Sequence, residues 1–140
     1  MITKSLVAHG RSTGMLYPES FSNKMQSYQS SLGFFITDDT YEGKHGYSLR
    51  LNGIEKNIND NARKRAIVFH AADYVSRDFI EKYGRIGRSF GCPALPLEQN
   101  RKIIDLIKNN TCVFMYFPTP DYIKKSDLAI PDHLSQIIHQ

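Results

Sequence analysis

The sequence predicts a single domain of the mainly β, α+β class, and three observations support this prediction. The chain has 140 residues, 41% of them hydrophobic and 23% charged, which suits one globular domain with one core. Short apolar runs of strand composition fill the first half of the chain. Two helical patterns and a last apolar run follow, and this order favours a β-rich domain over a strictly alternating α/β sheet.

Four strands are predicted in the first half, because short apolar or alternating runs are bounded there by glycine, aspartate or asparagine. A polar segment, residues 11–31, separates the first strand from the second and is predicted to be a long loop. Turn signals close the second strand at Asp38-Asp39 and the third at Asn52-Gly53. The predicted strands are residues 5–10, 32–37, 47–51 and 66–70.

Two helices are predicted in the second half, each with its own start and stop signals. Ser76 is a good N-cap for the first helix, and Gly84 is suited to end it because glycine adopts the left-handed conformation at low cost. Pro96 suits the first turn of the second helix, and Asn109-Asn110 mark its end. Apolar residues recur at helical spacing in both segments, so each helix has a face for the core.

A final strand and a polar tail complete the predicted organisation. Residues 111–117 are apolar on both faces, which is the pattern of a central buried strand. Cys112 in this run is therefore expected to be a small core residue. After Pro118 the chain is polar and short, and we expect a loosely held appendage. The sequence thus predicts one domain over residues 1–118 and a C-terminal tail over residues 119–140.

Composition excludes several classes of protein. No apolar run approaches the roughly 20 residues that span a bilayer, so no integral membrane segment is expected. Two cysteines cannot form a disulfide-rich scaffold or a four-cysteine zinc site. The net charge is +4, and the short basic clusters at 63–65 and 124–125 are interpreted as solvated surface. A nucleic-acid-binding domain is the least supported alternative, because no basic-aromatic motif accompanies these clusters.

Cys92 is the candidate nucleophile. It follows a glycine-rich loop, residues 84–91, and precedes a proline, and no periodic apolar pattern surrounds it. A loop cysteine flanked by glycine is a place where a thiolate can be approached by a substrate. Gly91 allows backbone N–H groups to come close to a substrate oxygen. The alternative interpretation is a partly exposed free thiol in a turn.

His70 is the candidate base for this nucleophile. It ends a predicted buried strand, 22 positions before Cys92, and the helix between them can return the chain to the strand end. Histidine has the pKa that a cysteine nucleophile needs in a neighbouring base. The alternative is a core histidine with satisfied hydrogen bonds. His45 lies between glycines and is interpreted either as part of a substrate groove or as a surface turn.

Metal and nucleotide sites have little support. His9, His45 and His70 show no helical ligand spacing and no accompanying carboxylate, so no metal site is expected. The glycines at 84–91 match neither a phosphate-binding loop nor a dinucleotide fingerprint, and no cofactor is expected.

The segment from His70 to Cys92 resembles the signature of L,D-transpeptidases, in which a strand histidine is followed by Ser/Thr-x-Gly-Cys, here residues 89–92. Further stretches resemble the murein L,D-transpeptidase catalytic-domain family, the YkuD-type cysteine L,D-transpeptidases, and the resemblance covers roughly residues 5–117. These stretches are 6–11 (LVAHGR), 21–23 (FSN), 30–34 (SSLGF), 43–51 (GKHGYSLRL), 59–63 (NDNAR) and 87–95 (GRSFGCPAL).

The resemblance implies an L,D-transpeptidase-like β-sandwich or mixed sheet with two short helices beside the active site. It implies a bacterial enzyme of the periplasm or cell envelope that acts on peptidoglycan stem peptides. The Cys92 thiolate would form an acyl-enzyme with a stem tetrapeptide and release D-alanine. An acceptor amine would then give a 3-3 cross-link, or water would make the same site an L,D-carboxypeptidase.

The resemblance also assigns roles to individual residues. His70 would take the proton of Cys92 and later protonate the leaving amine. The N–H groups of Gly91 and Cys92 would form an oxyanion hole, and Ser89 would orient His70 or bind substrate. The substrate-binding residues it implies are Arg88, His45, Tyr47 and Arg85.

This chain departs from the family pattern in three respects. Ala71 follows His70 where the wider family has glycine, and Pro93-Ala94 stand where it carries an arginine shortly after the cysteine. A carboxylate-binding arginine is then expected elsewhere, with Arg50, Arg85 and Arg88 as candidates. The family also has strands and an export signal before the stretch at 6–11, and we expect both to be missing here. The alternative function is therefore a truncated, catalytically inactive cell-wall-binding relative.

Overall fold

The computed structural model describes residues 1–129, and within them five strands form one sheet. The strands lie in the order β4-β3-β2-β1-β5, with β3 and β4 parallel and the other neighbours antiparallel. The sheet is therefore mixed, and the predicted mainly β, α+β class is confirmed. The elements are β1 (Gly33–Gly43), β2 (Gly46–Gly53), β3 (Val68–Ala71), α1 (Arg77–Tyr83), β4 (Ala94–Leu95), α2 (Leu97–Ile107), β5 (Cys112–Met115) and α3 (Pro120–Lys125).

The main core lies between the sheet and α2. Alternate side chains of the strands point to this face, as a strand period of two requires, and α2 contributes Ile104. The helix carries its apolar residues on the side that faces the sheet, so burial rather than helix propensity fixes its position. The buried members are Phe35, Leu49, Leu51, Ala62, Ile67, Phe69, Leu95 and Ile104.

Both helices predicted from cap residues are confirmed. Ser76 Oγ accepts a hydrogen bond from Phe79 N–H at 3.2 Å at the start of α1. Gly84 ends that helix with φ of 75°, and its N–H donates to Ile80 O at 2.7 Å. The second helix begins directly after Pro96, as its fixed φ favours. No helix among residues 1–129 has the length and apolarity needed to cross a bilayer.

The hairpin between β1 and β2 differs from the predicted turns. The turn lies at Lys44-His45, with Gly43 and Gly46 paired, and Gly46 adopts φ of 75°. The turn predicted at Asp38-Asp39 is wrong, because these residues lie in β1 at a bulge. The turn predicted at Asn52-Gly53 is also wrong, because both residues lie in β2.

Charge pairing explains why two aspartates remain inside β1. Asp38 Oδ2 accepts from Arg63 at 3.0 Å, and Asp39 Oδ2 accepts from Arg50 at 2.5 Å. Asn52 Nδ2 also donates to Asp38 Oδ2 at 3.0 Å across the two strands. These partners, Arg50 and Asn52 on β2 and Arg63 in the turn segment before β3, favour the extended conformation over the turn that aspartate otherwise favours.

The first predicted strand, residues 5–10, is reduced to two isolated bridges. Ala8 pairs with Ala94 and Gly10 pairs with Ser89. The segment therefore runs along the outer side of β4, next to the loop that carries Cys92.

Residues 111–117 were expected to form a central strand of the sheet, and this predicted position is wrong. Its observed part, β5, lies at the edge of the sheet and pairs only with β1. Cys112 is exposed, so the expectation of a core cysteine is also wrong. The run is apolar on both faces because Val113 packs against the main core while Phe114 packs against a second cluster under α3.

Residues 119–129 pack on the domain, so the expectation of a loosely held tail is wrong for this part of it. Tyr122 of α3 is only 4% exposed and packs against Leu32. Its hydroxyl donates to Glu55 Oε2 at 3.1 Å, and the Ser126 hydroxyl donates to Glu55 Oε1. The predicted boundary at residue 118 stays a prediction, and residues 130–140 of the predicted tail lie outside the described residues.

Candidate active site

The parallel pairing of β3 with β4 brings the two candidate catalytic residues to neighbouring strand segments. His70 is paired with Ala94, and Cys92 precedes Ala94 by two positions in the loop that leads into β4. Residues 87–93 are called the nucleophile loop below. Parallel strands need a crossover connection of a dozen residues or more, and here residues 72–93 with α1 supply it. The spacing of 22 residues is thus the length of one crossover.

The thiol of Cys92 is half-buried and points toward the start of β3. Its Sγ donates to Ala66 O at 3.5 Å, and the Val68 N–H hydrogen-bonds the sulfur. Burial raises the pKa of the Cys92 thiol, and the Val68 N–H and the charge of Arg65 lower it in part. The resting state that these surroundings favour is the neutral thiol.

His70 is buried, and its two ring nitrogens have different surroundings. Nδ1 lies 2.9 Å from the Ala71 carbonyl, which can only accept, so Nδ1 carries the proton and Nε2 keeps its lone pair. Burial lowers the pKa of His70, the bond to Ala71 raises it, and the charge of His45 lowers it. The imidazole is therefore held neutral with Nε2 as its basic atom. No hydrogen bond joins His70 to Cys92 in the part of the chain that the structure describes.

The structure brings His45 to His70 and leaves Tyr47 apart from it. The two imidazole rings stack with centroids 4.5 Å apart and an interplanar angle of 26°. His45 is exposed at the hairpin turn, so it lies on the solvent side of the buried ring. The Tyr47 hydroxyl donates to Asp105 Oδ1 at 2.7 Å, and Arg101 lies over its ring at 4.1 Å. Tyr47 therefore contacts α2.

Ser89 and Gly91 shape the nucleophile loop. The buried Ser89 hydroxyl donates to Cys92 O at 2.5 Å and accepts from Gly91 N–H at 3.1 Å, and within residues 1–129 it makes no hydrogen bond to His70. Gly91 has φ of 122°, and a Cβ there would lie 2.8 Å from Gln29 O. The Gly91 N–H is thus already bonded within the loop, whereas the Cys92 N–H makes no hydrogen bond to any described residue.

The arginines proposed for a substrate carboxylate are bonded to the protein. Arg88 donates from Nε to Gly14 O at 2.9 Å and from Nη1 to Ile86 O at 3.0 Å, and its buried Nη2 has no partner among the described residues. Arg85 Nη1 donates to Ile86 O at 3.0 Å. Arg50 pairs with Asp39 in the hairpin. Of the three, Arg88 is the one with a buried donor that has no partner among the described residues.

Sequence reasoning missed Arg65. It lies in the basic cluster at 63–65, which was interpreted as solvated surface, yet its guanidinium is half-buried behind the nucleophile loop. It donates to Ser22 O, Ser31 Oγ, Ser27 Oγ and Gln29 O at 2.6 to 3.1 Å. The one available signal was its place directly before the predicted strand that ends at His70.

No group of three or more histidine, cysteine, aspartate or glutamate side chains converges anywhere in residues 1–129. The site is therefore built on a thiol, an imidazole, a guanidinium and backbone N–H groups. These groups can transfer a proton, carry an acyl group and stabilise a developing anion.

A mixed sheet that carries a loop cysteine and a strand histidine on neighbouring segments defines a mainly β domain with a candidate cysteine–histidine site. Compared with known families, residues 1–116 match the family model of the L,D-transpeptidase catalytic domain, and the chain belongs to that family. The resemblance predicted from its motifs is confirmed. The family acts on peptidoglycan and is typically found in the cell envelope. Comparisons with curated proteins and with solved structures gave no match.

Proposed function

We propose that the chain is a cysteine L,D-transpeptidase that uses Cys92 as nucleophile on stem tetrapeptides of peptidoglycan. The observation that carries the proposal is the neutral His70 with Nε2 as its basic atom, on the strand beside the Cys92 segment. Membership of the L,D-transpeptidase catalytic-domain family supports the substrate class.

Acylation begins from a neutral Cys92 thiol and a neutral His70 imidazole. Burial raises the pKa of the Cys92 thiol and lowers the pKa of His70, so both shifts oppose a resting thiolate–imidazolium pair. Substrate binding must turn Sγ away from Ala66 O before Nε2 can take its proton. His70 then acts as a general base during attack.

In the acylation step, Sγ attacks the carbonyl carbon of the third stem residue while its proton passes to His70 Nε2. The tetrahedral oxyanion forms beside the nucleophile loop, and the Cys92 N–H is its proposed donor because it has no partner among residues 1–129. The bond to D-alanine then breaks, its nitrogen takes the proton from His70, and a thioester remains on Cys92.

The second half of the reaction reverses the proton transfers. An amine of another stem attacks the thioester, His70 takes its proton, and Sγ leaves as the thiol, which gives a 3-3 cross-link. Water as acceptor gives the L,D-carboxypeptidase reaction instead. His45, stacked on His70 at the open side of the ring, is proposed to contact the acceptor or the stem peptide.

The experiment is acyl transfer on a disaccharide tetrapeptide, followed by mass spectrometry of products and protein. Cys92→Ala should abolish D-alanine release, and Cys112→Ala, at the exposed edge strand, should leave it unchanged. A carbapenem should leave a covalent adduct on Cys92 and none on Cys112. Full activity of Cys92→Ala would refute the nucleophile assignment. An unacylated wild-type protein that still binds cell wall would support the inactive relative instead.

A further inference from the structure

Behind the nucleophile loop, Arg65 joins the segment before β3 to segment 22–31, which is distant along the chain. Its Nη1 donates to Ser22 O at 2.7 Å and Ser31 Oγ at 2.6 Å. Its Nη2 donates to Ser27 Oγ at 3.1 Å and Gln29 O at 2.6 Å. The planar fork of a guanidinium can hold several acceptors at once, which an ammonium cannot do in the same geometry. One side chain thereby bonds four residues of segment 22–31.

The same guanidinium lies against the nucleophile loop. A Cβ on Gly91 would come within 3.3 Å of Nη2 and within 2.8 Å of Gln29 O. The close approach of segment 22–31 to the loop therefore depends on glycine at 91 and on Arg65 behind it. Ser30 Oγ adds a donor to Gly91 O at 3.2 Å.

Arg65 has no acidic partner. Its four acceptors are neutral hydroxyl and carbonyl oxygens, and within residues 1–129 no carboxylate lies within 4.0 Å of it. Charged groups that are partly removed from water are normally paired, because burial of an uncompensated charge is costly. An anion that forms beside Arg65 during reaction would supply the missing counter-charge.

We propose that Arg65 is a positioning residue for Cys92, which holds segment 22–31 against the nucleophile loop and places a positive charge without an acidic partner next to Gly91, one residue before the cysteine. The proposal rests on the proposed role of Cys92 as nucleophile. Pro93-Ala94, which follow the cysteine, carry no charge. The cation near the nucleophile loop comes instead from Arg65, in a different segment of the chain.

The surroundings of the sulfur are consistent with this role. The Arg65 charge lowers the pKa of Cys92 against the larger effect of burial. The other titratable groups of the site are Tyr74, which interacts electrostatically with Cys92, and His70 on the neighbouring strand. Burial raises the pKa of Tyr74 to about 12, and burial lowers that of His70, so both are neutral near pH 7. Among the described residues, Arg65 is then the charged side chain that lowers the pKa of the Cys92 thiol.

The test is the pH dependence of Cys92 alkylation by iodoacetamide, followed by mass spectrometry with Cys112 as internal reference. Arg65→Gln should raise the alkylation midpoint by about one pH unit, which lowers the rate at pH 7.5 about tenfold. Arg65→Lys keeps the charge, so its alkylation midpoint should lie close to that of the wild type. Acyl transfer by this variant should stay slow, because lysine lacks the planar guanidinium that bonds segment 22–31. Arg63→Gln, an exposed arginine two positions away, is the matched control and should leave the midpoint unchanged.

A second measurement uses the wild-type protein, in case Arg65→Gln does not fold. The ¹⁵N resonances of the Arg65 guanidinium should shift with the Cys92 midpoint and lose that transition in Cys92→Ala. An unshifted midpoint in a folded Arg65→Gln variant, or no such transition at Arg65, would overturn the proposal. Neither readout needs substrate, so failed acyl transfer with a shifted midpoint would refute the proposed function alone.

Discussion

His70 illustrates how one backbone contact can assign a chemical role. The Ala71 carbonyl oxygen, 2.9 Å away, accepts a hydrogen bond from Nδ1–H, so Nε2 is the basic nitrogen of the ring. Because position 71 supplies a carbonyl whatever its side chain, the alanine that replaces the expected glycine does not remove this contact. Its place at the end of an apolar run makes His70 a candidate base, whereas its tautomer depends on the fold, which sets the contact between Nδ1 and the Ala71 carbonyl.

The stacked His45 should tune the base. Removing it in His45→Ala takes away a like charge and opens the buried face to water, and both changes raise the pKa of His70. The acid limb of the pH–rate profile should then move to higher pH, so activity at pH 6 falls more than activity at pH 8. The pKa of His70 can be measured from its Cε1 proton and carbon shifts.

His45→Phe is the informative companion variant. Phenylalanine keeps a ring stacked on His70, so His70 should stay buried, but it removes the charge. The pKa of His70 should therefore rise above the wild-type value by less than in His45→Ala. An unchanged pKa of His70 in both variants would show that the stacking has no electrostatic effect.

Local sequence predicts the surroundings of some residues correctly. Cys92 lies in a glycine-flanked loop and His70 in a buried strand, as predicted, and their catalytic roles stay predictions. Arg65 and Cys112 were misjudged, because their exposure depends on which distant segments pack on them. Arg65 contacts residues 22–31, and no local pattern in 63–65 reveals that contact. Ser89 was expected near the base and instead holds the nucleophile loop together.

At the scale of elements, local caps predicted helices better than apolar runs predicted strand positions. Ser76 and Gly84 fix the ends of α1 through hydrogen bonds within one turn. The place of a strand in the sheet depends on long-range pairing. Within residues 1–129, residues 112–115 form an edge strand because they pair only with β1, and the cluster under α3 covers their second apolar face.

The contact between α3 and Glu55 gives a stability prediction for the C-terminal segment. Tyr122→Phe removes one donor to a buried carboxylate that Phe34 N–H and Ser126 also bind, so unfolding should become easier by about 1 to 2 kcal/mol. Urea titration monitored by circular dichroism measures this change.

Tyr17→Phe is the matched control, because Tyr17 is exposed, and its effect should stay below about 0.5 kcal/mol. A chain ended at residue 118 should lose more stability than Tyr122→Phe. Equal stability of the shortened and full-length chains would show that α3 does not support the domain.

At the scale of the whole molecule, burial of histidines couples folding to acidity. The pKa of His70 and of His9 is lowered, mainly by burial, so the folded protein binds their protons less readily than the unfolded chain does. Stability from this source is complete above the ordinary histidine pKa of about 6.5 and falls as the pH drops below it. Below the lowered pKa values of His70 and His9 in the folded protein, this contribution to stability no longer changes with pH.

The midpoint of urea denaturation should therefore decrease between pH 7 and pH 5. Each unit of pKa difference costs about 1.4 kcal/mol at the acid end. His70→Gln should flatten this slope more than His9→Gln, because His9 is only partly buried. A slope that is the same in wild type and in the double variant would assign the acid sensitivity to other groups.

The family and the fold class were both accessible from the sequence, because the motifs lie in order along most of the chain. The register of the sheet was not, since it depends on pairings such as Asp38 with Arg63 and Asn52 that bring separate segments together. Those pairings explain the bulge in β1, and they explain why Asp38-Asp39 and Asn52-Gly53 lie in strands instead of turns.

The crossover from β3 to β4 also bears on how relatives of this chain could be recognised. Sheet pairing fixes His70 and the residue after Pro93 at the two ends of the connection, while α1 between them has no buried residue. Residues can thus be gained or lost around α1 without moving either end. The number of residues between the histidine and the cysteine is then free to drift during divergence, and a search pattern anchored on the two strand ends should find members that a fixed spacing would miss.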